Sequence, residues 1–358
     1  MKQIGVAIVG TGWCGGIRAE TCAAHPLVKS LHLAETRPDR LEEIAAKTKA
    51  KTKTAKYQDL VGNPDVEAVY ISATPEDTHF PMARDFLAAG KHVFLEKPIA
   101  LELSEADALI ELSRKNKLKF TIGYSQRFNP KFAYVRKAIR DGSIGTPVSA
   151  LVSRHITRSL GKKISGRIKL SPAAMESTHD LDFLLWCLEP AKPVRVYSQV
   201  NYGVMRASTG APVADTQWIT VTMDSGLSFV VGGGWTLPPG YPNFSTTWIE
   251  MVGTEGAVMV DDSHRDVVLN TMGKGMQLPM STMPGETVEH TYAGPMAAET
   301  VHFLEAVAYD RPVMVTPEHA RMVMELYIAA DLSAESNAPV ALPLAWPKKI
   351  QSASASRS

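Results

Sequence analysis

The sequence predicts an α/β chain in two parts: an N-terminal doubly wound parallel sheet of Rossmann type, then an α+β domain with a largely antiparallel sheet. Three observations predict it. Short apolar runs without strict alternation recur between helical stretches over residues 1–123, the pattern of a parallel sheet covered on both faces. A glycine-rich turn, GTGWCGG at 10–16, follows the first run and opens a helix. After about Tyr124 the texture changes to longer strand-like segments with hairpin signals such as DSG at 224–226.

Taken in order, strands are predicted at Gly5–Val9, Leu31–Ala34, Ala68–Ala73, His92–Leu95 and Phe120–Gly123. Helices are predicted between them at Gly15–Ala24, Asp39–Lys47, His79–Ala89 and Ser104–Lys115. A helix from Pro130 to Arg140 and a strand over Thr146–Ser153 follow. Residues 173–188 read as an amphipathic helix, and strands are expected at 194–202, 216–223, 227–234, 244–252 and 256–260. Helices at Ala297–Tyr309 and Pro317–Ser333 close the pattern. The expected domains are therefore 1–123, for a dinucleotide, and 124–345, for substrate binding and oligomerisation, with a frayed tail at 346–358.

Composition excludes several classes. With 358 residues, 45% hydrophobic and 21% charged, the chain can bury a core without disulfide or metal staples. The 38 Lys and Arg against 37 Asp and Glu leave a formal charge of +1, which supplies no electrostatic case for nucleic acid or an anionic membrane. Apolar stretches such as FLLWCL fall well short of the roughly 20 residues that span a bilayer. The three cysteines, Cys14, Cys22 and Cys187, form neither a disulfide framework nor a metal pattern, and point to a reducing cytoplasm.

Gly10, Gly12 and Gly15 give GxGxxG directly after a strand. The first permits the tight turn, the second lets a pyrophosphate approach the backbone, and the third lets the helix pack on the sheet. Free amides at the helix start then bind phosphate, which makes Thr11, Trp13 and Cys14 cofactor-contact candidates. Glu35, at the end of the second strand, stands where adenosine ribose hydroxyls lie; a carboxylate accepts hydrogen bonds from a diol and repels a 2′-phosphate. That favours NAD, while Arg37 leaves NADP open because a guanidinium can pair with a phosphate.

Glu96-Lys97-Pro98 lies at the carboxyl end of the fourth predicted strand, the edge where open α/β sheets bind ligands. Lys97 is suited to hold a substrate hydroxyl and assist its proton transfer; a solvated surface turn is the plainer alternative. On the helix expected at 173–188, His179 and Asp182 are three residues apart and can share a polar face. His179 is a candidate proton acceptor, with Asp182 orienting it. His155 and Arg158, at the end of a strand, are candidates for substrate hydroxyls or a carboxylate. Lys162, Lys163, Arg167 and Lys169 read as a basic loop before the helix. No histidine–carboxylate cluster has metal-ligand spacing.

The combination of GTGWCGG, Thr74-Pro75 with His79, Glu96-Lys97-Pro98, Gln126-Arg127-Phe128-Asn129-Pro130, His179-Asp180-Leu181-Asp182 and the final ADLSAESNAPVALP resembles the glucose–fructose oxidoreductase/inositol 2-dehydrogenase (Gfo/Idh/MocA) family. The resemblance covers roughly residues 3 to 345. It implies a nicotinamide-dependent oxidoreductase acting on polyols, inositols or sugars, in which the lysine of the EKP motif contacts both the reacting hydroxyl and the nicotinamide ribose. It further implies that Thr74, Pro75 and His79 line the cofactor, with Glu96 in the same motif. Arg127 is implied near the nicotinamide and substrate, and a homodimer or homotetramer is implied through the C-terminal sheet, with Trp235, Tyr241 or Trp248 able to pack across it. Many members carry a carboxylate four residues before the histidine, and here that residue is Met175. Glu176 stands one position late, about 100 degrees round a helix, and is the substrate-contact candidate in its place. Two other readings stay open: a glycoside-cleaving enzyme that uses nicotinamide transiently, and a non-catalytic dinucleotide-binding regulatory protein.

Overall fold

The computed structural model describes residues 2–165, 170–210, 213–261, 267–277 and 285–345. The chain divides into two units, Met1–Asn129 with Met283–Met322, and Pro130–Thr282 with Val323–Ser358. The helix expected at Ala297–Tyr309 thus belongs by its contacts with the first unit, although it lies late in the sequence.

In the first unit, strands β1 (Ile4–Val9), β2 (Val28–Ala34), β3 (Thr52–Thr54), β4 (Ala68–Ile71), β5 (His92–Leu95) and β6 (Phe120–Ile122) form a six-stranded sheet in the order β3-β2-β1-β4-β5-β6. Every pairing is parallel. The connecting helices are α1 (Trp13–Ala24), α2 (Pro38–Thr48), the short α3 (Gln58–Val61), α4 (His79–Ala88) and α5 (Leu103–Lys115). Strands β1 and β4 are buried at every residue, as sheets covered on both faces require. α5 starts with a reciprocal capping box between Glu102 and Glu105.

The second unit contains α6 (Pro130–Arg140), β7 (Pro147–Thr157), α7 (Arg158–Ser165), α8 (Thr178–Cys187), β8 (Pro193–Asn201), α9 (Val204–Thr209), β9 (Thr216–Met223), β10 (Ser228–Leu237), β11 (Ser245–Gly253) and β12 (Ala257–Asp261). A small hairpin, β13 (Leu269–Thr271) and β14 (Gly275–Gln277), follows. A second hairpin, β15 (Thr287–Val288) and β16 (Thr291–Tyr292), and helix α10 (Pro295–Ala308) return to the first unit. α11 (Pro317–Ser336) and β17 (Val340–Ala341) end the described chain. The second sheet is β12-β11-β7-β10-β9-β8-β17, antiparallel throughout except between β7 and β10.

The first core joins Ile4, Val6, Ile8, Leu31 and Leu33 to Phe303 and Leu304 of α10. Tyr70, Phe94 and Phe303 meet with ring centroids 5.2 to 5.8 Å apart, within the favourable range for aromatic pairs. The Tyr70 hydroxyl donates to the Thr300 carbonyl (2.7 Å). This satisfies a buried phenol with the helix backbone. Among the described residues no helix is long and apolar enough to cross a membrane.

Two expectations change. The basic stretch is not a loop at Lys162 and Lys163: both lie on α7, while Arg167, Lys169 and the 346–358 tail lie outside the described residues. Residues 173–188 are not an amphipathic helix. Ala173–Ser177 form a π-helical turn, and within α8 every residue except His179 is buried. A helix buried all round is an interior element.

At Gly233 and Gly234, φ is 149° and 151°, and a Cβ would meet the Arg154 and Asp215 carbonyl oxygens at 1.5 and 2.0 Å. Those contacts are backbone, so neither neighbour can turn aside. Gly233→Ala is expected to destabilise the protein by at least about 2 kcal/mol, read by denaturant unfolding; a wild-type midpoint would refute the close approach.

Candidate functional site

The first unit builds a dinucleotide cradle. Gly10 has φ 81°, a region open to glycine, and a Cβ there would come within 2.8 Å of Ala73 backbone. Gly15 packs so closely on the turn that its Cβ would be 1.8 Å from the Gly10 carbonyl oxygen. At Gly12, by contrast, a Cβ would approach only Arg37 Nη2, at 3.9 Å. No side chain caps the start of α1, and its first turn holds no acid. Ser72 Oγ, on the neighbouring strand end, is buried without a hydrogen-bond partner. An open glycine, uncapped helix amides and an orphaned hydroxyl together fit the pyrophosphate of a dinucleotide.

Glu35 is buried and heavily engaged. Its Oε2 accepts from Thr11 N (2.7 Å) and Thr11 Oγ1 (3.2 Å), and its Oε1 accepts from Arg37 N (3.1 Å) and Arg37 Nε (3.3 Å). Burial alone would raise its pKa, but the backbone N–H groups of Arg37 and Thr11, with the Arg37 side chain, outweigh it and hold the carboxyl below its usual value. Arg40 Nε closes the same corner by donating to the Thr11 carbonyl (2.8 Å).

Cys14 does no ionic work. Burial, with Glu96 adding to it, pushes its thiol up to about 12 against the pull of Arg18 and Lys97. Trp13 is half exposed at 52%, and Thr74 and Pro75, which follow β4, are exposed. The Thr74–Pro75 and Lys97–Pro98 peptides are both cis.

His79 lines nothing directly. It is 1% exposed, with Nδ1 2.8 Å from the Pro98 carbonyl oxygen and Nε2 3.1 Å from the Ala73 carbonyl oxygen. It braces the two proline turns against each other instead of facing a cofactor. Glu96 accepts from Arg18, a contact that sequence reading missed because the partners are 78 positions apart. Arg127 is buried after β6 and donates through Nη1 to the Met314 carbonyl (3.1 Å).

In the second unit, α8 carries His179 beside a fully buried Asp182. Arg154 of β7 grips the adjacent Asp180 through Nε (2.9 and 3.1 Å) and Nη2 (2.6 Å). Since successive strand residues point to opposite faces, His155 projects away from α8. Its Nδ1 lies 2.9 Å from Thr236 Oγ1 and its ring meets Trp218 edge-on. His155 is therefore not grouped with His179. Arg158 opens α7 and donates to the Thr236 carbonyl (3.0 Å).

Met175 packs with Ile156, Ile164, Met205, Val213 and Trp235. Glu176 Oε1 accepts from Trp235 Nε1 (3.0 Å). Trp235 itself is fully buried, so it is not an interface aromatic; Tyr241 is exposed and Trp248 half-buried. Among the described residues no three His, Cys, Asp or Glu side chains are grouped to hold a metal.

The turn into α8 is anchored from below. Asp331 of α11 accepts from Gln217 Nε2 (2.9 Å) and Ser171 Oγ (2.9 Å), and these two accept in turn from Ala173 N and Ala174 N. Burial pushes the Asp331 carboxyl up to about 6; the bonds from Gln217 and Ser171 oppose the rise and Glu335 adds to it. Because the folded value lies above the unfolded one, ionising Asp331 costs stability above that pH, and the cost fades as pH falls towards 4. Asp331→Asn is expected to raise stability near pH 8 by roughly 1–3 kcal/mol and to lose that advantage near pH 4. Thermal melts at both pH values check this; an asparagine variant less stable near pH 8 would refute it.

Two family models match the chain: an oxidoreductase family, NAD-binding Rossmann fold, over residues 4–124, and its C-terminal alpha/beta domain over 136–342. The myo-inositol 2-dehydrogenase of Thermotoga maritima is 24% identical over 347 residues, covering 94% of this chain and 98% of that protein. The NAD-dependent scyllo-inositol 2-dehydrogenase of Bacillus subtilis is 25% identical over 344 residues, covering 95% and 96%. The solved structure of scyllo-inositol dehydrogenase from Lactobacillus casei, with bound NAD(H) and scyllo-inositol, matches with a TM-score of 0.82 at 21% identity. That match covers 95% of this chain and 99% of that one, and bears on fold alone. With matched models spanning both sheets and most of the sequence, the chain belongs to the Gfo/Idh/MocA oxidoreductase family.

Proposed function

We propose that this protein transfers hydride between NAD and a secondary alcohol of a polyol, inositol or sugar-like substrate, with NADP the less favoured cofactor. The position of Lys97 supports the reading most. It follows β5, two strands from β1 in the sheet order, so the lysine turn and the glycine turn share one carboxyl edge, about 10 Å apart by strand spacing. The inositol dehydrogenases among the relatives give the substrate class.

Bound nicotinamide supplies the hydride acceptor. Lys97 donates a hydrogen bond to the reacting oxygen, and His179 takes or relays its proton. Glu35 accepts from the ribose hydroxyls, and its negative charge disfavours a 2′-phosphate there. Trp13, Thr74 and Pro75 flank the cofactor, Arg127 stands at its nicotinamide end, and Arg158, Glu176 and Asp182 shape the substrate end. The domains assigned to these tasks are 1–123 and 124–345. The free thiols of Cys14, Cys22 and Cys187 fit a reducing cytoplasm.

The face of the second sheet that carries His155, Trp218 and Trp248 is the surface for a homodimer or homotetramer. Trp218 is 37% exposed and lies over Gly232. A monomer by sedimentation at micromolar concentration would overturn that assignment.

Purified protein with NAD and a broad polyol panel is expected to produce reduced cofactor. No turnover of any alcohol or matching ketone would overturn the reading, and cleavage of a glycoside without net reduction would replace it. Lys97→Met is expected to lower kcat about 10²–10⁴-fold while NADH affinity is largely kept; wild-type turnover would remove Lys97 from the chemistry. Glu35→Ser is expected to shift the NADH-to-NADPH affinity ratio towards NADPH by about tenfold or more, as read by fluorescence titration; an unchanged ratio would remove Glu35 from cofactor choice.

A further inference from the structure

We infer that Arg18 is a positioning residue for Lys97: its guanidinium fixes the Glu96 carboxylate, and with it the turn that presents the lysine. Arg18 lies on α1, one turn beyond the glycine cradle, and its side chain is 1% exposed. Nε and Nη2 both donate to Glu96 Oε1 (3.2 and 2.6 Å). Nη2 also donates to Glu299 Oε2 (2.8 Å), and Nη1 to Thr300 Oγ1 (3.0 Å). The guanidinium carbon stands 4.0 Å over the ring of Phe94, two residues before Glu96. One planar group thus holds the end of β5 against both α1 and α10.

Stability alone is a poor reason for this cluster. Burying ions costs several kcal/mol each, and apolar replacements are often as stable or more so. A planar fork with fixed donor directions instead defines position. The surroundings tighten the same turn. Glu96 N donates to the Ile71 carbonyl (2.9 Å), and His79 reaches the Pro98 carbonyl from the other side (2.8 Å). At Gly123 a Cβ would crowd Glu96 Oε2 at 3.0 Å, so the missing side chain leaves room for the carboxylate. Lys97 is bracketed by two residues that are each pinned. A lysine that must meet a reacting oxygen at hydrogen-bond distance needs that bracketing, because small misplacements cost about 10²-fold in rate.

The inference rests on the hydride-transfer reading, and the test separates the two. Arg18→Lys keeps the charge and loses the fork; Glu96→Asp keeps the charge and shortens the reach. Each is expected to lower kcat about tenfold or more with KM and the NADH dissociation constant within about threefold, the signature of a lost transition-state interaction. The double variant is expected to be no worse than either single one, because both break the same contact. Glu299→Gln, which keeps an acceptor for Nη2, is expected to stay within about twofold of wild type. Amide exchange gives a readout free of substrate: exchange at Glu96 and Lys97 is expected to quicken in Arg18→Lys and in Glu96→Asp, with β1 amides unchanged. If the wild type turns over no polyol, the hydride reading fails and exchange alone decides the role of Arg18. Unchanged exchange at Glu96 and Lys97, wild-type kcat, or multiplicative losses in the double variant would overturn the inference. Should Arg18→Lys not fold, Glu96→Asp alone decides it by exchange and kcat.

Discussion

A methyl group at Gly15 would sit 1.8 Å from the Gly10 carbonyl oxygen, so α1 can leave β1 along this path only because that methyl is absent. Much of the first unit depends on this approach. The start of α1 at Gly12 carries no side-chain cap, and Gly15 to Ala19 are buried against the rest of the unit. The register of β1 on β2, which sets Val9 opposite Ala34, brings Thr11 N to Glu35. One turn further along α1, Arg18 points inward over Phe94 and reaches Glu96. The close approach of Gly15 to Gly10 thus bears on the glycine turn, on the engagement of Glu35 and on the contact of Arg18 with Glu96.

The parts of the fold legible in the sequence are those with local causes. β1, β4 and β5 are short runs buried on both faces, and the glycine turn announces itself within seven residues. The edge strand Thr52–Thr54 escaped because it is polar and mostly exposed, with no periodicity to betray it. α7 escaped because Gly161 and two lysines resemble a loop, yet a Cβ at Gly161 would be 2.7 Å from Trp235; close packing requires the glycine, and tertiary contact overrides helix propensity. α8 looked amphipathic because His179 and Asp182 read as one polar face. Asp180 and Asp182 are nonetheless buried, and Arg154 pairs with Asp180 from β7, which no local pattern on the helix announces. The place of α10 on the first sheet depends on Tyr70 and Phe94, more than 200 positions away, which no local pattern encodes.

The same division runs through the candidate site. Gly10, Gly12, Glu35 and Lys97 belong to motifs whose spacing carries the physics. His79 and Arg18 do their work through carbonyls and carboxylates brought close by the sheet, and the sequence offers only residue type. His155 was readable in principle. Arg154 and His155 are neighbours on one strand, and a period of two forbids both from facing α8. Which of the pair turned inward awaited the buried carboxylate at Asp180.

Met175 is the sharper departure, because the patch around it is apolar as well. Its neighbours Ile156, Ile164, Met205, Val213 and Trp235 are apolar, and the only polar atom that Trp235 brings, its indole N–H, is satisfied by Glu176. A buried indole donor without an acceptor costs about 1–3 kcal/mol, so Trp235 and Glu176 constrain each other. The turn at Ala173–Ser177 is π-helical, so Glu176 and His179 do not keep the angular spacing of a regular α-helix. A carboxylate introduced at 175 would lie among these apolar side chains, where desolvation raises its pKa. The proton handling proposed for His179 therefore has to work with a thioether, not an acid, four residues before it.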